Sequence, residues 1–249
     1  MVAKRRAEIA GLRRAGAETA RLLRELVALA TPGVTTGELN DYALRFIARL
    51  GGEAVFHTQN RFPGAINTSI NDEAVHGVPG KRRLQAGDLL KIDCGIRLNG
   101  YCGDTTASVI VGQPGPHAAD RSAVLEAARE ALRVGVAAVR AGGHVGDIGA
   151  AMEASVAARG FRLLPEFTGH AIGSRLWEKP SIPAVGTAGS GPRIVDGLAF
   201  TIEPIVTSGS GQVVLGADGW TVRTADGAPV AQFEHTVLAR PDGALVLTA

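Results

Sequence analysis

Four carboxylates and one imidazole stand in stretches of this chain that otherwise have the composition of buried β-strands. They are Asp93, Asp104, His170, Glu203 and Glu234. Isolated carboxylates are rarely buried, because their transfer out of water costs many kcal/mol. A pair of divalent cations would neutralise four of them together. The fold of this chain must therefore bring its acidic strands to one cationic centre.

The chemistry of this set favours a catalytic transition-metal site. Oxygen-rich ligands with a single imidazole suit Mn, Fe, Co or Zn, whereas structural zinc sites are usually rich in cysteine. Taken one at a time the residues are ambiguous, since Asp104 could cap a helix and His170 could be an ordinary core histidine. The sequence contains no His-Glu-x-x-His helix, phosphate-binding loop or Gly-x-Ser-x-Gly elbow that would indicate other chemistry.

An Asn99-Gly100 pair between two apolar arms predicts a β-hairpin, because both residues favour the left-handed conformations of a two-residue turn. Such a turn sets the register so that Gly95 lies opposite Asp104. Asp93 then lies diagonally across from Asp104 on the same face, about 7–8 Å away at the backbone. Carboxylates at that separation can converge on metal ions about 3.5–4 Å apart. The same register puts the two cysteines on opposite faces, so we expect no disulfide.

The chain also repeats itself weakly, with a period near 110 residues. Residues 32–39 (PGVTTGEL) are echoed by residues 142–148 (GGHVGDI), and an amphipathic helix pattern follows each segment. Residues 87–93 (GDLLKID) resemble residues 196–203 (DGLAFTIE), which aligns the acids that end the two segments. A duplicated fold would bring both acids to a shared central site.

The order of predicted elements is helix, helix, strands, and then helix, helix, strands again. This order predicts a single domain of the α+β class over residues 1–249, with internal halves of about 1–115 and 116–249. A chain of 249 residues is long enough for one sizeable core.

The composition excludes several classes of function. Hydrophobic residues make up 45% and charged residues 20% of the chain, which is ordinary for a globular protein. A net charge of +2 and an aromatic content of 4% give no support for a nucleic-acid or membrane partner. The sequence contains no run of about 18 apolar residues, so we expect no transmembrane helix. The basic start MVAKRRAE has no apolar segment behind it, so we expect no secretory signal and a cytoplasmic protein.

The basic residues near the start are expected to form the solvated face of an amphipathic helix rather than a nucleic-acid-binding arm. The apolar residues expected to face inward are Ile9, Leu12, Leu22, Leu23, Leu26 and Leu29. This interpretation makes the first helix a packing element without a ligand of its own.

Short motifs spread along the chain resemble those of a known family. They are PGVTTGEL at residues 32–39, SIN at 69–71, HGVP at 76–79, KID at 91–93, GDT at 103–105, TGH at 168–170, FTIEP at 200–204, DGWTV at 218–222 and QFEHT at 232–236. The set resembles the type I methionine aminopeptidases, which belong to the pita-bread metallohydrolases, over essentially the whole chain. The resemblance implies a pita-bread fold, in which helices cover a central, curved and mainly antiparallel sheet. The long insertion of the type II enzymes is absent.

The resemblance also implies a role for each acidic residue. Asp93, Asp104, His170, Glu203 and Glu234 match the ligands of two divalent metal ions (Co, Mn, Fe or Zn). Asp104 and Glu234 match the ligands that bridge the two ions. Glu203 also matches the catalytic residue that acts as general acid and base on the nucleophilic water.

The same resemblance implies catalytic or substrate-binding roles for six residues. They are His76, Trp177, Phe62, Asn67, Leu176 and Trp220. His76 matches a catalytic histidine that lies outside the metal shell and contacts the substrate backbone. The others match the surroundings of the pocket for the first side chain of the substrate.

This chain departs from the family pattern at several of these positions. Trp177 stands where the family has a second substrate-contacting histidine, and an indole N–H can donate a hydrogen bond but cannot shuttle a proton. Ala171 follows the histidine ligand where glycine is usual, so its methyl group is expected to crowd the loop. Gln59, Asn67 and Leu176 make the expected pocket more polar and differently shaped. One lost transition-state contact typically costs about 10²–10³ in rate, so we expect a slower or differently selective enzyme.

We therefore expect a dinuclear-metal aminopeptidase that hydrolyses the initiator methionine from nascent proteins when the second residue is small. The expected partner is the N-terminal peptide of a nascent protein near the ribosome exit. We expect a monomer with no specific nucleic-acid partner and no membrane partner.

Two alternatives remain open from the sequence. One is a paralogue with a shifted preference for the first residue, or with reduced activity owing to Trp177 and Ala171. An Xaa-Pro specificity is disfavoured within this alternative, because the chain is short. The other is a non-catalytic peptide-binding module, against which the intact set of ligands argues.

Overall fold

A computed structural model describes residues 1–113, 115 and 118–249 of the chain. The helices of these residues are α1 (Arg6–Leu29), α2 (Thr36–Arg49), α3 (Val55–Asn60), α4 (Ala118–Ala138) and α5 (Val145–Ala157). Among the described residues, no helix is long and apolar enough to cross a membrane. The expected boundary between two halves, at residues 115 and 116, falls partly outside the described residues, and the division into halves stays a prediction.

Antiparallel strands make up the rest of the regular structure. They are β1 (Glu53–Ala54), β2 (Ile66–Ile70), β3 (Glu73–Val75), β4 (Leu89–Leu98), β5 (Tyr101–Ile110), β6 (Arg162–Leu163), β7 (Thr168–Ala171), β8 (Glu178–Pro183), β9 (Ala199–Ile202), β10 (Ile205–Thr207), β11 (Val213–Leu215), β12 (Val222–Thr224), β13 (Val230–Gln232), β14 (His235–Arg240) and β15 (Gly243–Val246). Helices and antiparallel sheets in one chain confirm the expected α+β class.

The strands form four sheets in the described part of the chain. β4 pairs with β1 and β2 along one edge and with β5 along the other, while β15, β14, β9, β7 and β8 form a five-stranded sheet in that order. Two smaller sheets have the orders β13-β10-β6 and β11-β12-β3. One large apolar cluster lies between α1, α2 and the β4 sheet, and another joins α4 and α5 to β9 and β14. The acidic strands therefore lie between two layers of helices.

The β4–β5 hairpin has the predicted register. Gly95 lies opposite Asp104, and Asp93 lies two positions along on the same face. Asn99 and Gly100 have φ values of 50° and 85°, as a two-residue turn of this kind requires. Both cysteines are free thiols, as expected. The convergence of two acids from one hairpin is thus confirmed for the backbone.

Two of the five acidic or imidazole residues do not lie inside strands, contrary to the expectation from the sequence. Glu203 follows the end of β9, and Glu234 lies in the gap between β13 and β14. Pro204 has no backbone N–H and cannot continue the ladder of β9. The N–H of Glu234 donates to the carbonyl oxygen of Thr106 in β5, at 2.9 Å. Interruptions of the ladder, and not strand alternation alone, position these two carboxylates.

Helix α1 is amphipathic as expected, with one exception. Four of its six expected apolar residues are buried and Ile9 is half-buried, but Leu29 is 40% exposed. Leu29 is the last residue of the helix, where the other elements no longer cover the chain.

Helix α1 crosses β5 at a contact between two glycines. A methyl group added at Gly103 would lie 2.8 Å from both Cα and N of Gly16, and 2.8 Å from the hydroxyl of Thr19. These distances are too short for ordinary contact, so only glycine at position 103 allows the helix to lie this close to the hairpin. The helix in turn covers the strand that carries Asp104.

We predict that Gly103→Ala destabilises the protein, because the methyl group would push α1 away from β5. Overpacking of this kind typically costs about 1–3 kcal/mol, and each kcal/mol lowers the Tm of a chain of this size by about 2–4 °C. Thermal unfolding measures the change. Gly80→Ala is the matched control, because its added methyl group meets nothing within 4 Å. Equal Tm values for the two variants would contradict the prediction.

Candidate metal centre

The five residues singled out in the sequence meet between the hairpin and the five-stranded sheet. Asp93 and Asp104 come from β4 and β5, and His170 comes from β7. Glu203 directly follows β9, and Glu234 directly precedes β14. Residues far apart in the chain are therefore collected by sheet pairing, at one place in the interior.

The side chains lie close enough to share an ion. His170 Nε2 lies 3.6 Å from Asp104 Oδ2 and 3.8 Å from Glu203 Oε1. Ligand atoms of Asp104, His170 and Glu234 all lie within 4.8 Å of one another, and the three residues are buried. Asp93 stands beside this group, where repulsion from Asp104 acts on its carboxyl.

Burial raises the pKa of every carboxyl group in this set, and repulsion between the acids adds to it in Asp93, Glu203 and Glu234. Burial is the larger cause, and it raises the pKa of Asp104 to about 7 and the pKa of Glu203 to about 8. The pKa values of Asp93 and Glu234 lie well above the ordinary range, because repulsion from Asp104 adds to burial. Four such groups cannot all be ionised near neutral pH unless a cation is bound among them.

In three of the four carboxylates, one oxygen accepts a hydrogen bond from an uncharged side chain. The pairs are Asn67 Nδ2 with Asp93 Oδ2 (2.8 Å), Thr106 Oγ1 with Glu234 Oε2 (2.7 Å) and Thr201 Oγ1 with Glu203 Oε1 (2.8 Å). Buried oxygens of Asp93, Asp104 and Glu234 have no hydrogen-bond partner among the described residues. An unpaired buried acceptor costs about 1–3 kcal/mol, and more when it is charged. A divalent cation is the partner that would satisfy several of them together.

The imidazole of His170 presents Nε2 to the carboxylates. Its Nδ1 lies 3.2 Å from the carbonyl oxygen of Ala171, which assigns the proton to Nδ1 and leaves a lone pair on Nε2. Ala171 itself is fully buried in β7 and pairs with Phe200 of β9, so its methyl group lies in the core of the sheet. One imidazole nitrogen among carboxylate oxygens is the donor set that fits Mn, Fe, Co or Zn.

Two neighbouring cavities have the centre as a common wall. The smaller has a volume of about 50 Å³ and the larger of about 560 Å³. Both are lined by Asn60, Asn67, His76, Asp93, His170, Trp177 and Glu203. Phe56 and Phe62 line the smaller cavity, whereas Ile205 and Gln232 line the larger. The centre is therefore open to a ligand that places one end in the smaller cavity, against Phe56 and Phe62, and extends along the larger one.

Four of the expected substrate-binding residues lie on these walls and two do not. His76, Phe62, Asn67 and Trp177 line one or both cavities. Leu176 is fully buried, and its N–H donates to Gln59 Oε1 at 2.9 Å. Trp220 packs edge-on against Phe62, with ring centroids 5.3 Å apart. Both residues pack in the same apolar cluster as Phe62, which lines the smaller cavity, and their expected contact with substrate stays a prediction.

His76 and Trp177 occupy unusual settings. His76 has a φ of 57°, in the left-handed region where non-glycine residues are uncommon and often functional. Burial lowers the pKa of its imidazole, so His76 is neutral at neutral pH. Trp177 is 42% exposed, and its ring centroid lies 6.0 Å from that of His170. An exposed indole at the mouth of the centre can meet any ligand that enters.

Sequence reasoning missed several residues that contact the centre or its cavities. Thr106, Thr201 and Gln232 are examples, and each lies in a strand next to one of the acids. Strand alternation would have found them. Thr106 lies opposite Asp93 in the predicted register, and the other two precede an expected ligand by two residues.

Lys91, two residues before Asp93, is a further buried group near the centre. Its Nζ donates to the carbonyl oxygens of Asn71 and Val230, at 2.9 Å each. Burial lowers the pKa of this lysine to about 7. The side chain thereby ties β4 to the turn after β2 and to β13, the strand that leads to Glu234.

The chain was compared with known proteins. Residues 10–241 match the model of metallopeptidase family M24. Methionine aminopeptidase A of Synechocystis sp. is 43% identical over 244 residues, which cover 98% of this chain and 95% of that protein. The crystal structure of methionine aminopeptidase from Thermotoga maritima superposes with a TM-score of 0.94 at 32% identity, over 100% of this chain and 99% of that chain. Prolidase from Pyrococcus furiosus shares the fold, with a TM-score of 0.77 at 22% identity over 100% of this chain and 65% of that chain. The pita-bread fold expected from the sequence is confirmed.

We predict that the metal-free protein loses stability as the pH rises. Its carboxyl pKa values, about 7 for Asp104 and about 8 for Glu203, lie above those of an unfolded chain. The folded state therefore binds protons more tightly, and this stabilisation, present at low pH, is lost as the pH rises through the folded-state values. Thermal unfolding in a chelator should show Tm falling between about pH 5 and 8, and Mn²⁺ should restore it most at the upper end.

Asp104→Asn is the control variant for this prediction. Removing one acid weakens the repulsion, so the Tm of the metal-free variant should fall less steeply with pH. A wild-type Tm that is flat or rises over this range, with no gain from Mn²⁺, would show that the carboxylates do not form a metal-dependent centre.

Proposed function

This chain belongs to metallopeptidase family M24, and from that membership we propose that it is an aminopeptidase that removes the N-terminal methionine of proteins whose second residue is small. The observation that carries the proposal is the open centre. In it, His170 Nε2 lies 3.6–3.8 Å from two carboxylates, and three carboxylate oxygens have no hydrogen-bond partner within the part of the chain that the structure describes. The relatives named methionine aminopeptidase match nearly the full length of the chain.

The residues of the centre would divide the chemistry between them. Divalent ions held by the five ligands would polarise the scissile carbonyl and lower the pKa of the attacking water. Glu203 would take a proton from that water and give it to the leaving amine. Burial raises the pKa of Glu203 to about 8 in the metal-free centre, and the charge of bound ions would lower it again, so that the ionised carboxylate can accept the proton of the water. Neutral His76, on the wall of both cavities, would hydrogen-bond the substrate backbone.

The cavities support a division of the substrate into two parts. The smaller cavity has aromatic walls from Phe56 and Phe62, which suit the side chain of methionine. The larger cavity would receive the rest of the peptide. Ile205 and Gln232 line it together with Glu203, and their side chains would limit the space for the second residue, in keeping with a small one. Asn67 makes the first pocket more polar than an entirely apolar one.

Several features of the proposal go beyond the family assignment. Four carboxylates and one imidazole are enough ligands for two divalent ions, so we include two in the proposal. All five ligands come from one chain, so a monomer suffices for activity. The initiator methionine is accessible as a chain leaves the ribosome. We therefore include in the proposal a cytoplasmic location, and the N-terminal peptide of a nascent protein as the partner.

The proposal is tested by cleavage of a peptide library with varied first and second residues, read by mass spectrometry, with protein loaded with Mn²⁺ or Co²⁺. We expect release of methionine ahead of Ala, Gly or Ser. Glu203→Gln is the control, since loss of the general acid and base should slow cleavage by about 10²–10⁴. Metal bound in stoichiometric amount without cleavage of any peptide would instead support a peptide-binding module.

A second candidate, a shifted preference for the first residue, rests on Trp177. The exposed indole next to His170 is bulkier than an imidazole and cannot shuttle a proton. We predict that Trp177→His raises kcat by about 10-fold or more on methionyl peptides, or changes the preferred first residue. Steady-state kinetics on the same library measures both effects. If neither the rate nor the preference changes, position 177 does not control selectivity.

A further inference from the structure

Thr201 connects two residues of the centre through a single hydroxyl group. It lies in β9 and is fully buried. Its Oγ1 accepts a hydrogen bond from the main-chain N–H of His170 at 3.0 Å and lies 2.8 Å from Glu203 Oε1. No other side chain among the described residues bonds to both segments, which come from neighbouring strands of the five-stranded sheet.

The direction of these bonds follows from the groups involved. A main-chain N–H can only donate, so the hydroxyl oxygen must accept from His170. The hydroxyl hydrogen is then free to point at Glu203, whose ionised carboxylate can only accept. The position of His170 and the orientation of the Glu203 carboxylate are therefore linked through one oxygen atom that cannot move in the packed sheet.

The two hydrogen bonds of Thr201 help to set the distance between His170 Nε2 and Glu203 Oε1, on which binding of one metal ion by both residues depends. His170 Nε2 and Glu203 Oε1 lie 3.8 Å apart. An ion such as Zn²⁺ binds imidazole nitrogen and carboxylate oxygen at about 2.0–2.2 Å each, so two of its ligand atoms must lie closer together than about 4.4 Å. The oxygen that Thr201 holds is the one that satisfies this limit with His170.

We propose that Thr201 is a positioning residue, which holds Glu203 Oε1 and the His170 imidazole at the separation that one metal ion needs. The inference rests on the proposed function, because it assigns to Glu203 and His170 the binding of an ion that supports peptide hydrolysis. Hydrogen-bonding partners of metal ligands generally affect metal affinity or activity by 10–100-fold. Loss of the hydroxyl should therefore weaken metal binding and slow catalysis without a comparable change in KM.

Thr207 provides a matched control elsewhere in the fold. It lies at the end of β10 and is also fully buried. Its hydroxyl accepts from the N–H of Gly209 at 3.1 Å and donates to the carbonyl oxygen of Pro229 at 3.0 Å. The two threonine hydroxyls thus make two hydrogen bonds each, but that of Thr207 bonds none of the five expected metal ligands. Substitution at Thr207 reproduces the general cost of losing a buried hydroxyl.

The experiment compares Thr201→Val, Thr201→Ser and Thr207→Val in the full chain. Mn²⁺ binding to the metal-free protein is titrated by electron paramagnetic resonance, which needs no turnover, and kcat and KM are measured on a methionyl peptide. We expect the Mn²⁺ Kd of Thr201→Val to rise about 10-fold or more and kcat to fall by a similar factor. Thr207→Val should stay within about threefold of the wild type in both, and Thr201→Ser, which keeps a hydroxyl, should restore both.

Two results would overturn the inference. One is equal changes in Thr201→Val and Thr207→Val, which would mean that both hydroxyls serve only the stability of the fold. The other is wild-type Mn²⁺ affinity in Thr201→Val, or valine-like affinity in Thr201→Ser. Thr201→Ala replaces the valine variant if circular dichroism shows that the latter is unfolded. A wild-type protein that binds Mn²⁺ but cleaves no methionyl peptide would contradict the proposed function, while the Mn²⁺ affinities would still decide the role of Thr201.

Discussion

Repulsion among four buried carboxylates is the constraint on which the rest of this structure depends. Burial raises the pKa of Asp104 to about 7, and burial together with repulsion from Asp104 and Asp93 raises that of Glu203 to about 8. The pKa values of Asp93 and Glu234 lie well above the ordinary range for the same two reasons. A folded chain tolerates such a group only if protons or cations neutralise it. The β-sheets hold the acids together against this repulsion, and that rigidity leaves divalent ions as the partners that compensate it at neutral pH.

The surroundings of the acids orient them without neutralising them. The donors to the carboxylates are an amide and two hydroxyl groups, from Asn67, Thr106 and Thr201. A lysine or arginine in their place would form an ion pair and remove the need for a metal ion. The buried ammonium of Lys91 is instead bonded to two main-chain carbonyl oxygens. The positive charge that compensates the carboxylates would thus come from metal ions. The uncharged donors determine which oxygen of each carboxylate faces such an ion.

Predictions from local sequence signals agreed best with the structure. The Asn99-Gly100 turn predicted the hairpin register, because a two-residue turn leaves one pairing only. The direct contact expected of Leu176 and Trp220 with substrate stays a prediction, and neither residue lines the two cavities beside the centre. A motif match locates a residue along the chain, but it does not say which side chain of a packed pair faces the open space. The break of the ladder at Glu203 has a local signal in Pro204, whereas the break at Glu234 depends on the bond between its N–H and Thr106 of a distant strand.

The sequence by itself determined the chemical identity of the centre, because acids in apolar stretches require a cation wherever the chain places them. It also determined the antiparallel hairpin and the α+β class, which follow from local turns and periodicity. Only the tertiary structure decided the distances of 3.6–3.8 Å at His170, the oxygen of Glu203 that Thr201 holds, and the cavities beside them. The physical reason is that these features are set by contacts between strands more than 30 residues apart, whose packing no local pattern specifies.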